Sequence, residues 1–253
     1  MRNPRDAAAR NIVEDNRRFY ESLWSGARLV RPQRFNTWPL VSRLLAPQQC
    51  RVEVAPGLRP RLPLEDTLFI DISHAALASL KAVGARVAQG QIGSLPLASG
   101  SADFLCAFDV IEHVEDEDGS LAELARVTRP GAVMLASVPL HPERWNAFDE
   151  FVGHHRRYEP ERLLAKLDEH GFVVEQSAIY GLQAKSSRVL EAGMWWLTHQ
   201  RERAMWWYNL FMPLSLSRQP KLVLEPGMID GVGVDEVLLV CRRRAAATHG
   251  NTP

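Results

Sequence analysis

The feature that most constrains this chain is an alternation between residues 50 and 180, where short apolar runs take turns with helical stretches of roughly ten residues. The runs fall at 51–55, 67–71, 85–88, 103–108, 132–138 and 172–175, and another follows at 236–240. Between them lie patterns such as His74 to Val83, closed by Gly84, and Pro160 to His170, with Pro160 in the first turn and Gly171 just beyond the end. Strand–helix–strand units of this kind produce a mostly parallel sheet covered by helices on both faces. The 253-residue length allows one such domain with an insertion, and hardly two full domains.

Composition narrows the function classes. Thirty Lys and Arg balance thirty Asp and Glu, so the basic footprint of a general nucleic-acid binder is missing. Three scattered cysteines, Cys50, Cys106 and Cys241, make neither a disulfide framework nor a zinc cluster, and no metal site is expected. With no transmembrane-length apolar stretch and a charged, signal-free start, the expected compartment is the reducing cytoplasm.

In such sheets, ligands bind beyond the carboxyl ends of the strands. Suggestive groups stand there at strand after strand. The first run leads into Glu53-Val54-Ala55-Pro56-Gly57-Leu58-Arg59-Pro60, the second ends in Asp71-Ile72, the third gives Gly90-Gln91-Ile92, and the fourth gives Phe108-Asp109 through Glu112-His113. A carboxylate about fourteen residues past a glycine turn suits a ribose diol, because it can accept from both hydroxyls. Gly57 alone cannot supply the full fingerprint expected around a diphosphate. Adenosine without a diphosphate is the favoured ligand, which argues against a nicotinamide-dependent oxidoreductase.

At these residues the chain resembles the class I S-adenosylmethionine-dependent methyltransferases, in particular the methyltransferase type 11 group, over about residues 50 to 180. The run from Gly90 through Leu95-Pro96-Leu97 to Glu112-His113-Val114-Glu115-Asp116, and then Thr128-Arg129-Pro130-Gly131, carries the resemblance. It implies a Rossmann-like seven-stranded sheet of order 3-2-1-4-5-7-6 with the last strand antiparallel. It implies a domain plan of an N-terminal helical lid (1–47), a cofactor core (48–182), a helical insertion (183–217) before the closing strand region (218–244), and a tail (245–253). S-adenosylmethionine would then be gripped by Glu53, Ala55, Gly57 and Arg59 at its amino-acid end. Asp71 and Ile72 would take the ribose, Gln91 and Ile92 would flank adenine, and Phe108, Asp109 and His113 would lie along the methionine portion. S-adenosylhomocysteine would be the product. The first glycine position of the family carries Ala55, expected to be extended because it precedes Pro56. The third carries Arg59, which could crowd the cofactor or pair with its carboxylate. These departures keep a non-catalytic relative as the alternative.

Acceptor chemistry is expected from His113, His154 and His155 as proton acceptors, since imidazole titrates near neutrality. His113 could equally cap or pack a helix. Gly153-His154-His155-Arg156-Arg157-Tyr158 resembles a segment of relatives that modify glycolipids, sugars or prenyl-linked compounds. Its arginines could hold a substrate anion, or could clamp Asp149 and Glu150. Tyr20, Trp24 and Trp195 complete the candidate acceptor contacts. The paired tryptophans Trp195-Trp196 and Trp206-Trp207 would share one face of a single helix. That helix could be a buried insertion, a cap over the site, or a contact with a second copy or a membrane surface.

Overall fold

The computed structural model describes residues 17–47, 49–181 and 187–245. The N-terminal helix α1 runs over residues 17–26 and is followed by α2 (Trp38–Leu44). The sheet then begins: β1 (Arg51–Val54), β2 (Thr67–Asp71), α3 (His74–Ala82), β3 (Arg86–Gln89), β4 (Ala102–Phe108), α4 (Glu117–Val127) and β5 (Thr128–Pro139). A short helix α5 (Ala147–Val152), α6 (Pro160–Glu169) and β6 (Phe172–Ile179) precede the helical pair α7 (Ser187–His199) and α8 (Arg201–Ser217). The chain closes with β7 (Glu225–Pro226) and β8 (Glu236–Arg243).

Strand order is β3-β2-β1-β4-β5-β8-β6-β7. The first five strands pair in parallel, and β8 runs antiparallel to both β5 and β6. This is the expected arrangement with β8 as the closing antiparallel strand, plus one strand more than expected. The extra strand, β7, pairs two residues antiparallel with the outer side of β6. Its Pro226 cannot donate to a ladder, and an edge is where a sheet tolerates that.

Side-chain alternation on β4 shows why the sheet is central. Leu105 and Ala107 enter the cluster under α4 and α6 with Leu121, Leu124, Leu163 and Leu167. Phe104, Cys106 and Phe108 face the opposite layer with Leu40 and Val41 of α2. Both faces being buried, the strand reads as one apolar run rather than an alternation.

Two helices escape a reading by hydrophobic period alone. The six residues of α5 are too few for a periodic signal, but Asn146 accepts from the Phe148 N–H while Asp149 reaches back to the Asn146 N–H. That reciprocal capping pattern was visible in the sequence. The tryptophan-rich stretch is two helices rather than one, because the chain turns at Gln200 (φ −139°). The two tryptophan pairs therefore sit on separate helices. All four rings are 38–60% exposed, which overturns a buried insertion for this face. The inner side of α8 packs on α1: Asn209 donates to Gly26 O and accepts from the Arg28 N–H, and Met205 lies against Gly26. Of the expected tail, residues 246–253 lie outside the described residues, as do 1–16 of the expected lid and 183–186 of the insertion.

Candidate active site

The loop after β1 turns through two residues with positive φ, Ala55 (54°) and Gly57 (53°). An extended Ala55 is thus corrected. Its N–H donates to Ile70 O at 2.7 Å, a bond that ties the turn to β2 and offsets the roughly 1–2 kcal/mol that a left-handed alanine costs. Glu53 lies beneath this loop, fully buried, and its carboxylate accepts from the backbone N–H groups of Arg61 and Leu62 at 2.8–3.0 Å. Burial pushes it up to about 7, against the pull of those N–H groups and the Arg61 guanidinium. Glu53 therefore braces the loop from below.

Asp71, at the tip of β2, faces the same loop. One oxygen accepts the Gly57 N–H at 2.9 Å and the other the Ser73 N–H at 2.8 Å. Burial raises its pKa, and these N–H groups oppose the rise. Asp109, at the tip of β4, also has positive φ (48°); the residue is exposed, and its carboxylate accepts the Ser137 hydroxyl at 2.5 Å. Ile92 is buried beside Ile70 and Val110, and the exposed Gln91 begins the turn after β3. Phe108 is buried and packs edge-on against Tyr180. These groups line the tips of β1, β2, β3 and β4, the row expected from the sequence.

Helix α1 lies across that row. A methyl group on Gly57 would drive into the indole ring of Trp24, so the ring rests on the bare backbone of the glycine turn. The Arg59 guanidinium stands 5.7 Å over Trp24 and 5.0 Å over Tyr208 of α8. Tyr20 stacks on Trp24 at 6.2 Å and places its hydroxyl 3.2 Å from His113 Nε2. Glu21 fastens the helix by accepting from the Ser73 hydroxyl at 2.7 Å and the Ala75 N–H at 3.1 Å, a carboxylate at the N-terminus of α3. Tyr20 and Trp24, expected as acceptor contacts, thus belong to the helix across the strand tips, with Trp24 seated on the Gly57 turn and Tyr20 beside His113.

Arg61 is a site residue that the sequence reading missed. It lies under the loop, donating to the Tyr180 hydroxyl at 2.9 and 3.1 Å and to Arg59 O at 2.5 Å, with its guanidinium 3.7 Å over Phe35. The available signal was the Arg59-Pro60-Arg61 spacing next to a turn. Arg59 is held down to about 10 by burial and by Arg61, and its Nε is buried with no hydrogen-bond partner.

Beyond β4, Glu112 and His113 meet the loop after α5. His154 Nδ1 bonds Asp149 Oδ1 at 2.8 Å, its ring stands 4.5 Å from that of His113, and its Nε2 is 3.9 Å from Glu112 Oε1. Burial and the neighbouring His154 push His113 down to about 3, so its ring is neutral. Burial, with Asp109 and Asp149 nearby, raises Glu112 well above the usual carboxylate range. Glu112 is the second site residue the sequence reading left without a role.

His155 donates its backbone N–H to Glu112 O at 2.7 Å; its pKa is lowered by burial and by Arg156. Arg156 is committed to the carbonyls of Val114 and Glu115, and Arg157 to Asp149 at 2.8 Å. The structure contains the clamp on Asp149. Tyr158 is buried. Trp195 is half exposed and stacks on His199 at 4.8 Å.

Comparison with known proteins follows this geometry. Residues 51–136 match the family model described as a methyltransferase domain. This segment is similar to methyltransferase domains. A probable S-adenosylmethionine-dependent methyltransferase of Mycolicibacterium smegmatis is 34% identical over 114 residues, which cover 43% of this chain and 44% of that protein. The chain thus matches less than half the length of this curated relative. Among solved structures, a methyltransferase of Thermotoga maritima described as a possible histamine N-methyltransferase superposes with a TM-score of 0.54 at 16% identity, covering 81% of this chain and 86% of its own. A Haemonchus contortus phosphoethanolamine N-methyltransferase, solved with S-adenosylhomocysteine, gives a TM-score of 0.55 at 15% identity over 90% of this chain and 57% of that one. At such identities, the structural likeness speaks for the fold alone.

Proposed function

We propose that the chain is an S-adenosylmethionine-dependent methyltransferase acting on a small molecule or a lipid- or sugar-linked acceptor. The observation that carries this reading is the ring of complementary groups around the Gly57 turn. Asp71 offers carboxylate lone pairs beside the turn, Asp109 is an exposed acid one strand away, and the unpartnered Nε of Arg59 is a buried donor. A ribose diol, an ammonium and a carboxylate are what those three groups would satisfy, and S-adenosylmethionine carries all three. When bound, the cofactor supplies a methyl group already activated as an electrophile on sulfur.

The protein's own contribution is positioning and exclusion of water, which can be worth roughly 7–11 kcal/mol. Helices α1 and α8 form a two-layer cover over the strand tips, and Trp24 has to leave Gly57 before a ligand can lie there. Asp149 holds His154 by Nδ1, which leaves the Nε2 lone pair facing Glu112 and His113. That cluster would receive a proton from a hydroxyl acceptor. The zero formal charge is at odds with a nucleic-acid acceptor.

Among the described residues no helix is long and apolar enough to cross a membrane. Any contact with a second copy or a membrane surface would use the exposed aromatic face of α7 and α8. The seating of Trp24 on Gly57 favours the second reading, a non-catalytic methyltransferase-like subunit whose cofactor groove is filled by its own side chain. Thermal shifts with S-adenosylhomocysteine, S-adenosylmethionine and NAD in parallel separate the readings. Stabilisation by the sulfur nucleosides alone supports the enzyme. Stabilisation by NAD alone, or by none of the three, overturns it.

A further inference from the structure

We propose that Glu112, His113 and His154 form a binding site for a zinc-class divalent cation. Among the described residues they are a group whose ligand atoms all lie within 4.8 Å of one another. Two segments distant in sequence build it. Glu112 and His113 sit on the short turn that follows β4, and His154 follows the left-handed Gly153 that ends α5. The His155 N–H bond to Glu112 O joins the two backbones at 2.7 Å.

Two details go beyond proximity. First, His154 is oriented as metal-bound imidazoles are: its Nδ1 bonds the Asp149 carboxylate, which is itself held by the Arg157 Nε and the Asn146 N–H. The Nε2 lone pair is thereby directed toward Glu112. Second, Glu112 is 1% exposed and its Oε2 has no hydrogen-bond partner, while Oε1 stands 3.9 Å from His154 Nε2, beyond hydrogen-bond reach. A buried carboxyl group and an acceptor nitrogen facing each other at that separation leave room for a cation, which would take the place of the carboxyl proton. A cation with nitrogen and oxygen bonds of about 2.0–2.2 Å would draw the three ligand atoms together.

Two imidazoles and one carboxylate suit zinc, cobalt or iron better than magnesium or calcium, which prefer all-oxygen shells. Three protein ligands leave coordination positions open. This inference does not depend on methyl transfer. If the methyltransferase reading also holds, the open position would face the acceptor, and the three side chains would act as ligands rather than as proton acceptors.

The test is isothermal titration of the full chain, stripped with chelator, with Zn²⁺, and separately optical titration with Co²⁺, whose absorption reports nitrogen ligation. We expect one high-affinity Zn²⁺ per chain and a Co²⁺ spectrum with imidazole ligation. Affinity should fall at least tenfold in Glu112→Gln and in His154→Gln, and by a comparable factor in the positioning variant Asp149→Asn. His199→Gln, on exposed α7, should leave it unchanged. The spectrum of the unmodified chain guards against variants that fail to fold. Binding unaffected by Glu112→Gln and His154→Gln in folded protein, or no Co²⁺ spectrum with nitrogen ligation in the unmodified chain, would overturn the site.

Discussion

Replacing Trp24 by alanine should tighten nucleoside binding, although it removes a buried aromatic side chain. The indole occupies the face of Gly57 on which a ligand would lie, so closure of α1 and cofactor binding compete. What holds the ring there can be estimated from its partners. The Arg59 guanidinium at 5.7 Å contributes roughly 1–2 kcal/mol in a desolvated setting. Stacking on Tyr20 at 6.2 Å adds about 0.5–1.5 kcal/mol. If those contacts are given up on opening, the closed state is favoured by roughly 2–3 kcal/mol, and the apparent affinity is reduced by the fraction of open protein. Trp24→Ala should then lower the Kd for S-adenosylhomocysteine by about 30- to 150-fold, read by isothermal titration against the unmodified chain. Unfolding stability should fall at the same time, with a core-buried tryptophan setting an upper limit of about 3–5 kcal/mol. An unchanged or weaker Kd would refute the competition and make Trp24 a contact of the bound ligand.

Asp71→Ala should weaken S-adenosylhomocysteine binding by an order of magnitude or more in the same titration; unchanged affinity would mean that the ribose lies elsewhere. Arg157→Ala leaves the buried Asp149 without its guanidinium partner and should cost about 3–5 kcal/mol in denaturant unfolding. Turnover should fall while cofactor affinity stays near normal, and a collapse of cofactor binding would assign that loop to the donor site. Glu53 is raised from 4.5 to about 7, so the folded state favours its protonated form, and that preference is lost as pH rises through the interval between those values. Between pH 4.5 and 7.5, the unmodified chain should lose up to about 3 kcal/mol relative to Glu53→Gln; parallel stability curves would show that the carboxylate is ionised throughout.

The strand succession and the acids at its tips were legible because they follow from local pattern. β4 is apolar on both faces, and Asp71 and Asp109 end their strands where a parallel sheet leaves ligand-facing positions. Local rules misjudged Ala55. Preference before proline points to extended backbone, but the bond to Ile70 across the sheet fixes the left-handed turn. Contacts between distant segments were not legible. The seating of Trp24 on Gly57, the stacking of Arg59 between α1 and α8, and the meeting of Glu112 with His154 span 33 to 149 positions and depend on how two covering helices settle. Residue types at Arg156 and Arg157 suggested anion binding, yet nearby carbonyls and Asp149 satisfy them first. The tryptophan pairs were misread as one face because a single residue, Gln200, ends one helix and starts another.

The most direct measurement is a crystal structure of the full chain grown with S-adenosylhomocysteine. The expected map has the ribose hydroxyls within hydrogen-bond distance of Asp71, the aminocarboxylate end between Arg59 and Asp109, and the Trp24 ring lifted from Gly57. A nucleoside bound away from Asp71, or saturating nucleoside with Trp24 still seated on the glycine turn and nothing beside it, would contradict the account.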